Sequence, residues 1–232
     1  MAYTYEYPRS VNTVDAVVFG VSADFEELQV LLIQRGEKPF KGLLALPGGH
    51  VEPDEDLDVA VKRELKEETG LKLSYLEQLY TFGKPGRDPR GHYISTAYLA
   101  LVRTGMQLQP GSDAQGVTWA PATIGRKAKG ALAFDHAEIL EVGLERLRSK
   151  VRWQPIGIDL LPKEFTLTEL QRVYEIILGQ PLDKRNFRRR VLKIGVLQEV
   201  GMSTTRGRPA KLYHFDCPAY RRLQKDGIFF EV

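Results

Sequence analysis

One cysteine, Cys217, stands in 232 residues. An internal disulfide is therefore excluded, and a reducing compartment, the cytoplasm, is the expected location. No stretch reaches the roughly 18 consecutive apolar residues that a membrane span needs. The first residues lack the basic, apolar and small-residue succession of a secretory leader, so no membrane or secretory route is expected. Histidine is sparse as well: His50, His92, His136 and His214 are scattered without the paired spacing of a zinc site. What is there is the balance of an ordinary folded protein, 43% hydrophobic and 27% charged, in a chain long enough for one large domain or two smaller ones.

Charge is shared unevenly. Residues 1–150 hold 18 Lys and Arg against 21 Asp and Glu, and the chain totals of 33 and 30 leave 15 against 9 for residues 151–232. A half at −3 joined to a half at +6 points to an acidic or neutral domain followed by one that meets a polyanion.

Residues 49 to 71 read GHVEPDEDLDVAVKRELKEETGL. At 3.6 residues per turn, Leu57, Ala60, Val61 and Leu65 form one apolar stripe, with Glu55, Asp58, Lys62 and Lys66 opposite. Glu64 and Glu68 fall on the buried stripe and Glu67 beside them, so three carboxylates leave the inward side of one helix within a turn. Like-charge repulsion opposes that arrangement unless a cation is present, and hard divalent ions with oxygen ligands, Mg²⁺ or Mn²⁺, meet the need. An acidic face left to solvent would place these acids opposite Leu57 and Leu65. Gly49, Glu55, Arg63, Glu64, Leu65, Glu67, Glu68, Gly70 and Leu71 occupy the positions of the Nudix box, a coincidence on the order of one window in 10⁹ at ordinary residue frequencies. With Pro47, Gly48 and Gly49 before it, the segment resembles the loop-helix-loop of Nudix hydrolases. That resemblance implies that Glu64, Glu67 and Glu68 are metal ligands and form the catalytic set with Arg63, which orients them. Glu55 is either a partner of the helix dipole or an ion-pair partner of Arg63.

Around the box, Asp15 to Val21, Val30 to Arg35, Leu73 to Phe82 and Tyr93 to Val102 read as strands, and about Asp135 to Arg148 as a helix with Asp135 a candidate cap. The pattern is α+β. It agrees with the α/β/α sandwich around a mixed sheet that the Nudix resemblance implies over about residues 12 to 150. Arg35 ends a strand just before the box, and FGKPGRDPRGH, residues 82 to 92, gathers Lys84, Arg87, Arg90 and His92 in a Gly- and Pro-rich turn. Guanidinium groups hold phosphates through paired hydrogen bonds, although exposed turns are also charged for solubility alone. GRDPRG is similar to the corresponding segment of Nudix proteins that handle ADP-ribose. The expected ligand contacts are Arg35, Gly48, Gly49, Arg87, Arg90 and His92. AFDH could bring His136 to the site or serve only as a helix cap.

Beyond residue 150, Pro155 and Pro162 exclude a continuous helix, while Trp153, Ile158, Leu160 and Leu161 call for burial, which suggests a packed connector. Thr166 and Glu169 form a capping box, followed by a core stripe of Leu167, Leu170, Val173, Tyr174, Ile177 and Leu178 that stops near Gly179. A second helix from about Asp183 sets Phe187, Val191 and Ile194 on one face. Arg185, Arg189 and Lys193 recur every four residues on another, with Arg188 beside them. VLQEV and LYHF then read as strands joined by a basic loop. Helix, basic helix, basic hairpin is the order of a winged helix-turn-helix domain. In such a domain Arg185, Arg188, Arg189 and Lys193 reach the major groove, and Arg206, Arg208 and Lys211 reach the backbone or minor groove. A solvated basic face on a dimerisation module is the bland alternative.

LLIQRGEKPFKGLLALPGGHVE, GRDPRGHYISTAY, LAFDH, FTLTELQRVYEIILGQPLDKRNFRRRV and RGRPAKLY together resemble the NrtR regulators of NAD metabolism over nearly the whole chain. The resemblance implies a Nudix domain at 1–152 and a connector with a winged helix at 153–232. It also implies a homodimer that represses from a palindromic operator on double-stranded DNA and releases it on binding ADP-ribose. Related Nudix regulators answer to pentoses instead. Many such regulators have a degraded box, whereas every defining position is present here, which argues for retained ADP-ribose hydrolysis. A pyrophosphatase whose C-terminal domain only joins subunits is the competing expectation.

Overall fold

A computed structural model of the protein describes residues 6–103, 116–127, 130–203 and 209–226, with 126 and 127 by backbone alone. Strands β1 (Val11–Val21), β2 (Leu28–Gln34), β3 (Leu44–Ala45) and β4 (Gly48–His50) precede helix α1 (Leu57–Thr69). Strands β5 (Tyr75–Phe82), β6 (Tyr93–Leu101) and β7 (Val117–Pro121), the single turn α2 (Ile124–Lys127) and α3 (His136–Lys150) follow. The strands form one seven-stranded mixed sheet ordered β3-β2-β1-β6-β5, with β4 added to β1 and β7 to β2. Only the β1–β6 pairing is parallel among the described strands.

Strand β1 is buried continuously from Val14 to Val21 because both faces of the sheet are covered. Period-two alternation sends Val14, Ala16 and Val18 into one cluster with Ala60, Val61 and Leu65 of α1. Val17, Phe19 and Val21 join Ile139, Leu140, Leu144 and Leu147 of α3 on the other side. The expected α/β/α sandwich is the result. One acid, Asp15, interrupts this apolar run and faces the α3 side with Val17.

The connector forms a 3-10 helix (Pro155–Leu160), a structure its prolines permit, and buries Ile156, Ile158, Leu160 and Leu161. Trp153 departs from expectation, remaining 42% exposed at the end of α3. Next come β8 (Phe165–Thr166), α4 (Leu167–Leu178), α5 (Lys184–Ile194), β9 (Leu197–Met202), β10 (Lys211–Phe215) and α6 (Cys217–Lys225). Strand β10 pairs with both β8 and β9 in a three-stranded antiparallel sheet, the hairpin of the expected winged helix. Helix α4 starts at a complete capping box, with the Thr166 hydroxyl accepting from the Glu169 N–H and the Glu169 carboxylate accepting from the Thr166 N–H. Helix α5 is held against it by buried Phe187 and Val191, the Phe187 ring lying 5.4 Å edge-on from Tyr174.

The two halves share one core. Leu144, Leu147 and Val151 cluster with Leu170, Val173, Tyr174 and Phe187. Polar ties cross the same seam: Arg148 Nε donates to the Ile177 carbonyl (3.0 Å), and Arg172 donates to the Phe25 carbonyl (2.8 Å) and the Glu26 carboxylate (2.9 Å). Among the described residues no helix is long and apolar enough to cross a membrane.

Candidate functional site

Helix α1 begins at Leu57, so Glu55 lies before the helix and not on its outer face; Asp56 is the N-cap, accepting from the Asp58 N–H. Of the two readings open for Glu55, the ion pair is found. Its carboxylate takes both Nε and NH2 of Arg63 (2.9 and 2.8 Å) and is nearly buried. Arg63 also donates to Glu64 (2.8 Å) and to the His50 carbonyl (3.0 Å), bracing the loop before the helix against the helix itself. These carboxylates hold the guanidinium charged well above its ordinary value, Glu55 contributing most.

Glu64 and Glu68 face inward as the periodicity predicts. Glu67 does not: it is 60% exposed, 3.4 Å from Arg63, because it stands one helical position round from the apolar stripe. The Glu68 carboxylate accepts from the Gly48 N–H (2.9 Å). Burial pushes it up to about 8, against that hydrogen bond, and Glu64 and Asp15 add repulsion. Burial likewise raises Glu64. Backbone contact makes Gly48 obligatory, whereas a side chain on Gly49 would displace the Glu64 carboxylate. A Cβ on Gly49 would fall 2.3 Å from the Glu64 carboxylate, and one on Gly48, at φ 154°, would fall 2.1 Å from the Val14 carbonyl. Among the described residues no three acid, His or Cys side chains converge as a complete ligand set. Even so, two desolvated and mutually repelling carboxylates against backbone with no room for side chains suit a hard divalent cation by donor chemistry.

Glu68, Gly48 and Gly49 form one wall of a cleft of about 660 Å³. Arg35 and Arg90 also line it and gather about Phe134: the Arg35 guanidinium lies 4.7 Å and that of Arg90 5.7 Å from its ring. Arg90 also lies 4.6 Å over Tyr93 and is paired with Asp88 (2.7 Å). Burial, and then the charge of Arg90, lowers the pKa of Arg35. Phe134 adopts φ 53° and Phe40, whose ring packs edge-on against it at 4.8 Å, adopts φ 62°. Such left-handed non-glycine backbone costs on the order of 1 kcal/mol and concentrates at ligand sites.

Two sequence expectations are revised by this geometry. Arg87 lines the cleft, but it is buried and its fork is taken by Asp135 (2.8 and 2.6 Å), with Asp15 at 3.6 Å. Asp135 consequently holds the N-cap position of α3 without making a cap hydrogen bond. His92 lies outside the cleft lining, its Nδ1 bonded to the Ser10 hydroxyl (2.9 Å). His136 does reach the cleft: Nδ1 accepts from the Leu46 N–H (2.9 Å), Nε2 stands 3.6 Å from Asp15, and burial lowers its pKa so that it stays neutral. Asp15, Asp88, Tyr93 and Phe134 escaped the sequence reading. An acid inside the run VDAVVFG was a signal for the first; Phe134 gives none, its role depending on tertiary backbone geometry.

On α5, Arg185, Arg189 and Lys193 are exposed, and among the described residues no carboxylate pairs with them. Arg189 donates to Asn186 (2.7 Å), while half-buried Arg188 donates to Thr168 (2.9 Å), tying α5 to α4. Lys211 on β10 pairs with Glu199 across the hairpin (2.8 Å). Arg206 and Arg208 lie outside the described residues.

The NUDIX domain profile matches residues 11–141, and that of the NrtR DNA-binding winged helix domain matches residues 157–215. Over 218 residues the chain is 42% identical to the ADPR responsive transcriptional repressor NtrR of Acinetobacter baylyi, covering 93% of this chain and 86% of that protein. Among solved structures, Shewanella oneidensis NrtR complexed with a 27mer DNA gives a TM-score of 0.79 at 39% identity over 90% of this chain and 95% of that one. The NUDIX domain of the same protein, complexed with ADP ribose, gives 0.55 at 38% identity over 61% of this chain and 90% of that one. Matched through both the carboxylate-lined cleft and the basic helix, the chain belongs to the NrtR family, in which a Nudix domain is joined to a DNA-binding winged helix.

Proposed function

We propose that this protein is an ADP-ribose-responsive transcriptional repressor that binds ADP-ribose in the Nudix cleft and double-stranded DNA through α5. The observation that carries the reading is the division of charge in the cleft. Arg35 and Arg90, whose charge lowers the pKa of Arg35, line the same cleft as the desolvated carboxylate of Glu68. A pyrophosphate fits these guanidinium groups, which the Phe134 and Tyr93 rings hold in place. Glu68 in the lining and Glu64 one turn before it, joined by Glu67 from the exposed side of the helix, would hold Mg²⁺ or Mn²⁺, which when bound supplies charge to polarise the pyrophosphate. The Acinetobacter relative described as ADPR-responsive and the Shewanella structures holding ADP ribose and DNA support the same assignment.

For DNA, Arg185, Arg189 and Lys193 of α5, exposed and without a carboxylate partner among the described residues, present a row suited to phosphates and base edges, on a helix locked to the core by Phe187 and Val191. Action as a homodimer on a palindromic operator follows from the family resemblance. Arg189→Ala should weaken operator binding and reduce the slope of log affinity against log salt by about one, with ADP-ribose binding unchanged. Failure to bind any double-stranded site above non-specific background would refute the repressor. Release from DNA by arabinose or xylose but not by ADP-ribose would refute the effector.

A second reading, retained hydrolysis of ADP-ribose to AMP and ribose 5-phosphate, is favoured by the complete box and the braced Arg63–Glu55–Glu64 arrangement. In it Arg63 positions Glu64, and the Gly48 N–H positions Glu68. Glu68→Gln should abolish turnover with Mg²⁺; an unchanged rate would exclude the box as the working site.

A further inference from the structure

A second cavity, of about 500 Å³, opens where the two halves of the chain meet, away from the Nudix cleft. This volume lies within the roughly 300–1,000 Å³ of small-ligand pockets, which favour such junctions. Tyr75 of β5, Ile156 and Asp159 of the connector, Phe215 of β10, and Cys217 and Tyr220 of α6 contribute to its walls. The Phe215 and Tyr220 rings lie 5.6 Å apart and inclined at 52°, forming an aromatic side.

Among the described residues the polar side carries more cations than acids. Of the lining cations, Lys150 is neutralised by Glu77 and bonded to the Tyr75 hydroxyl. Arg103 and Lys163 form no salt bridge among the described residues; Arg103 donates to the Leu161 carbonyl (3.0 Å) and Lys163 is exposed. Among the described residues Asp159 is the one acid in the lining; burial pushes its carboxyl up to about 6 against the pull of Arg103, so at neutral pH it is ionised and offsets one of these two cations. His214 also lines the cavity, and its Nδ1 is buried with no hydrogen-bond partner. We infer that this junction cavity is a second ligand site, accepting a small aromatic carboxylate or a similar flat amphipathic anion, with its ring beside Phe215 and Tyr220 and its charge toward Arg103 and Lys163. The site touches both halves, so its occupant would bridge them independently of whatever fills the Nudix cleft.

Cys217, the sole cysteine and exposed on this wall, allows a direct test on the full chain. The protein is equilibrated under mildly reducing conditions with the disulfides of 4-mercaptobenzoate and 4-mercaptobenzamide, probes alike in shape and different in charge, and capture is read by intact mass. The benzoate should be favoured about tenfold, the scale of one charge-assisted hydrogen bond. That preference should fall to within about twofold in Lys163→Gln, whose exposed position leaves folding untouched, and in Arg103→Gln. Arg221, one turn along α6 from Cys217, attracts anions in its own right, so Arg221→Gln is the decisive control and should keep most of the preference. Absence of adduct, equal capture of the two probes, or a preference that survives Lys163→Gln and Arg103→Gln but vanishes in Arg221→Gln would each overturn the site. The readout involves neither DNA nor ADP-ribose, so its failure would leave the repressor assignment standing.

Discussion

Arg87, Asp135 and Asp15 form a buried ion cluster in which each charge depends on the others being present. Removing the guanidinium leaves two carboxylates in a desolvated place, which costs far more than the net worth of the intact group. Arg87→Ala should therefore lower stability by about 3–5 kcal/mol in urea unfolding; a loss no larger than that of an exposed arginine would show that the cluster is solvated. The sequence made Arg87 look like a phosphate ligand because only its Gly- and Pro-rich turn is visible locally, while its partner Asp135 lies 48 positions away. Glu64 and Glu68 were legible for the opposite reason: their inward direction follows from helical period alone. His136 adds a pH dependence. Kept neutral by burial, it titrates in the folded chain below the 6.5 of the free side chain. As pH falls through that value the unfolded chain takes up a proton that the folded chain refuses, so stability present at neutral pH is lost on acidification. His136→Gln, which keeps an acceptor for the Leu46 N–H, should flatten the fall in unfolding free energy between about pH 7 and pH 5.5; an unchanged slope would assign the loss to other groups.

Helices α4 and α5 formed where their caps and stripes placed them, because N-caps, αL glycines and 3.6-residue spacing are local signals. The capping box of α4 satisfies two backbone N–H groups at the point where the connector turns into the winged helix. Thr166→Ala should cost about 1 kcal/mol, and Thr166→Ser close to nothing; equal losses in both, measured by thermal or urea unfolding, would point to packing of the Thr166 methyl instead. Strands β3 and β4 left no sequence pattern, the first being two residues long and the second GGH. They exist through pairing with β2 and β1, a tertiary cause. Helix α6 was missed because none of its residues is buried, so no core stripe announces it. Its Asp216 cap, accepting from the Ala219 N–H, and Pro218 in its first turn are the only local marks it carries.

For the whole molecule, the charge divide near residue 150 suggests two separable units, yet the packing joins them. Leu144 and Leu147 on the Nudix helix α3, Ile156 and Ile158 in the connector, and Leu170, Val173 and Tyr174 on α4 belong to one buried cluster. The fit is close: a Cβ on Gly157 would come within 2.7 Å of the Tyr174 ring. Partly exposed ties such as Arg172 to Glu26 contribute at most about 1 kcal/mol each, so the shared apolar contact decides the coupling. Sequence could show that the connector wants burial but not that it is buried against both halves, since the partners are far apart in the chain. Unfolding should accordingly be a single transition with equal calorimetric and van't Hoff enthalpies. Leu147→Ala, at a fully buried position, should lower that transition as a whole by about 2–5 kcal/mol. Backbone amides of α1 in the Nudix half and of α4 in the winged helix should lose the same protection against hydrogen exchange in that variant. Two calorimetric peaks, or a loss of protection confined to α1, would mean that the halves fold independently. The interface would then be a docking surface, not a common core.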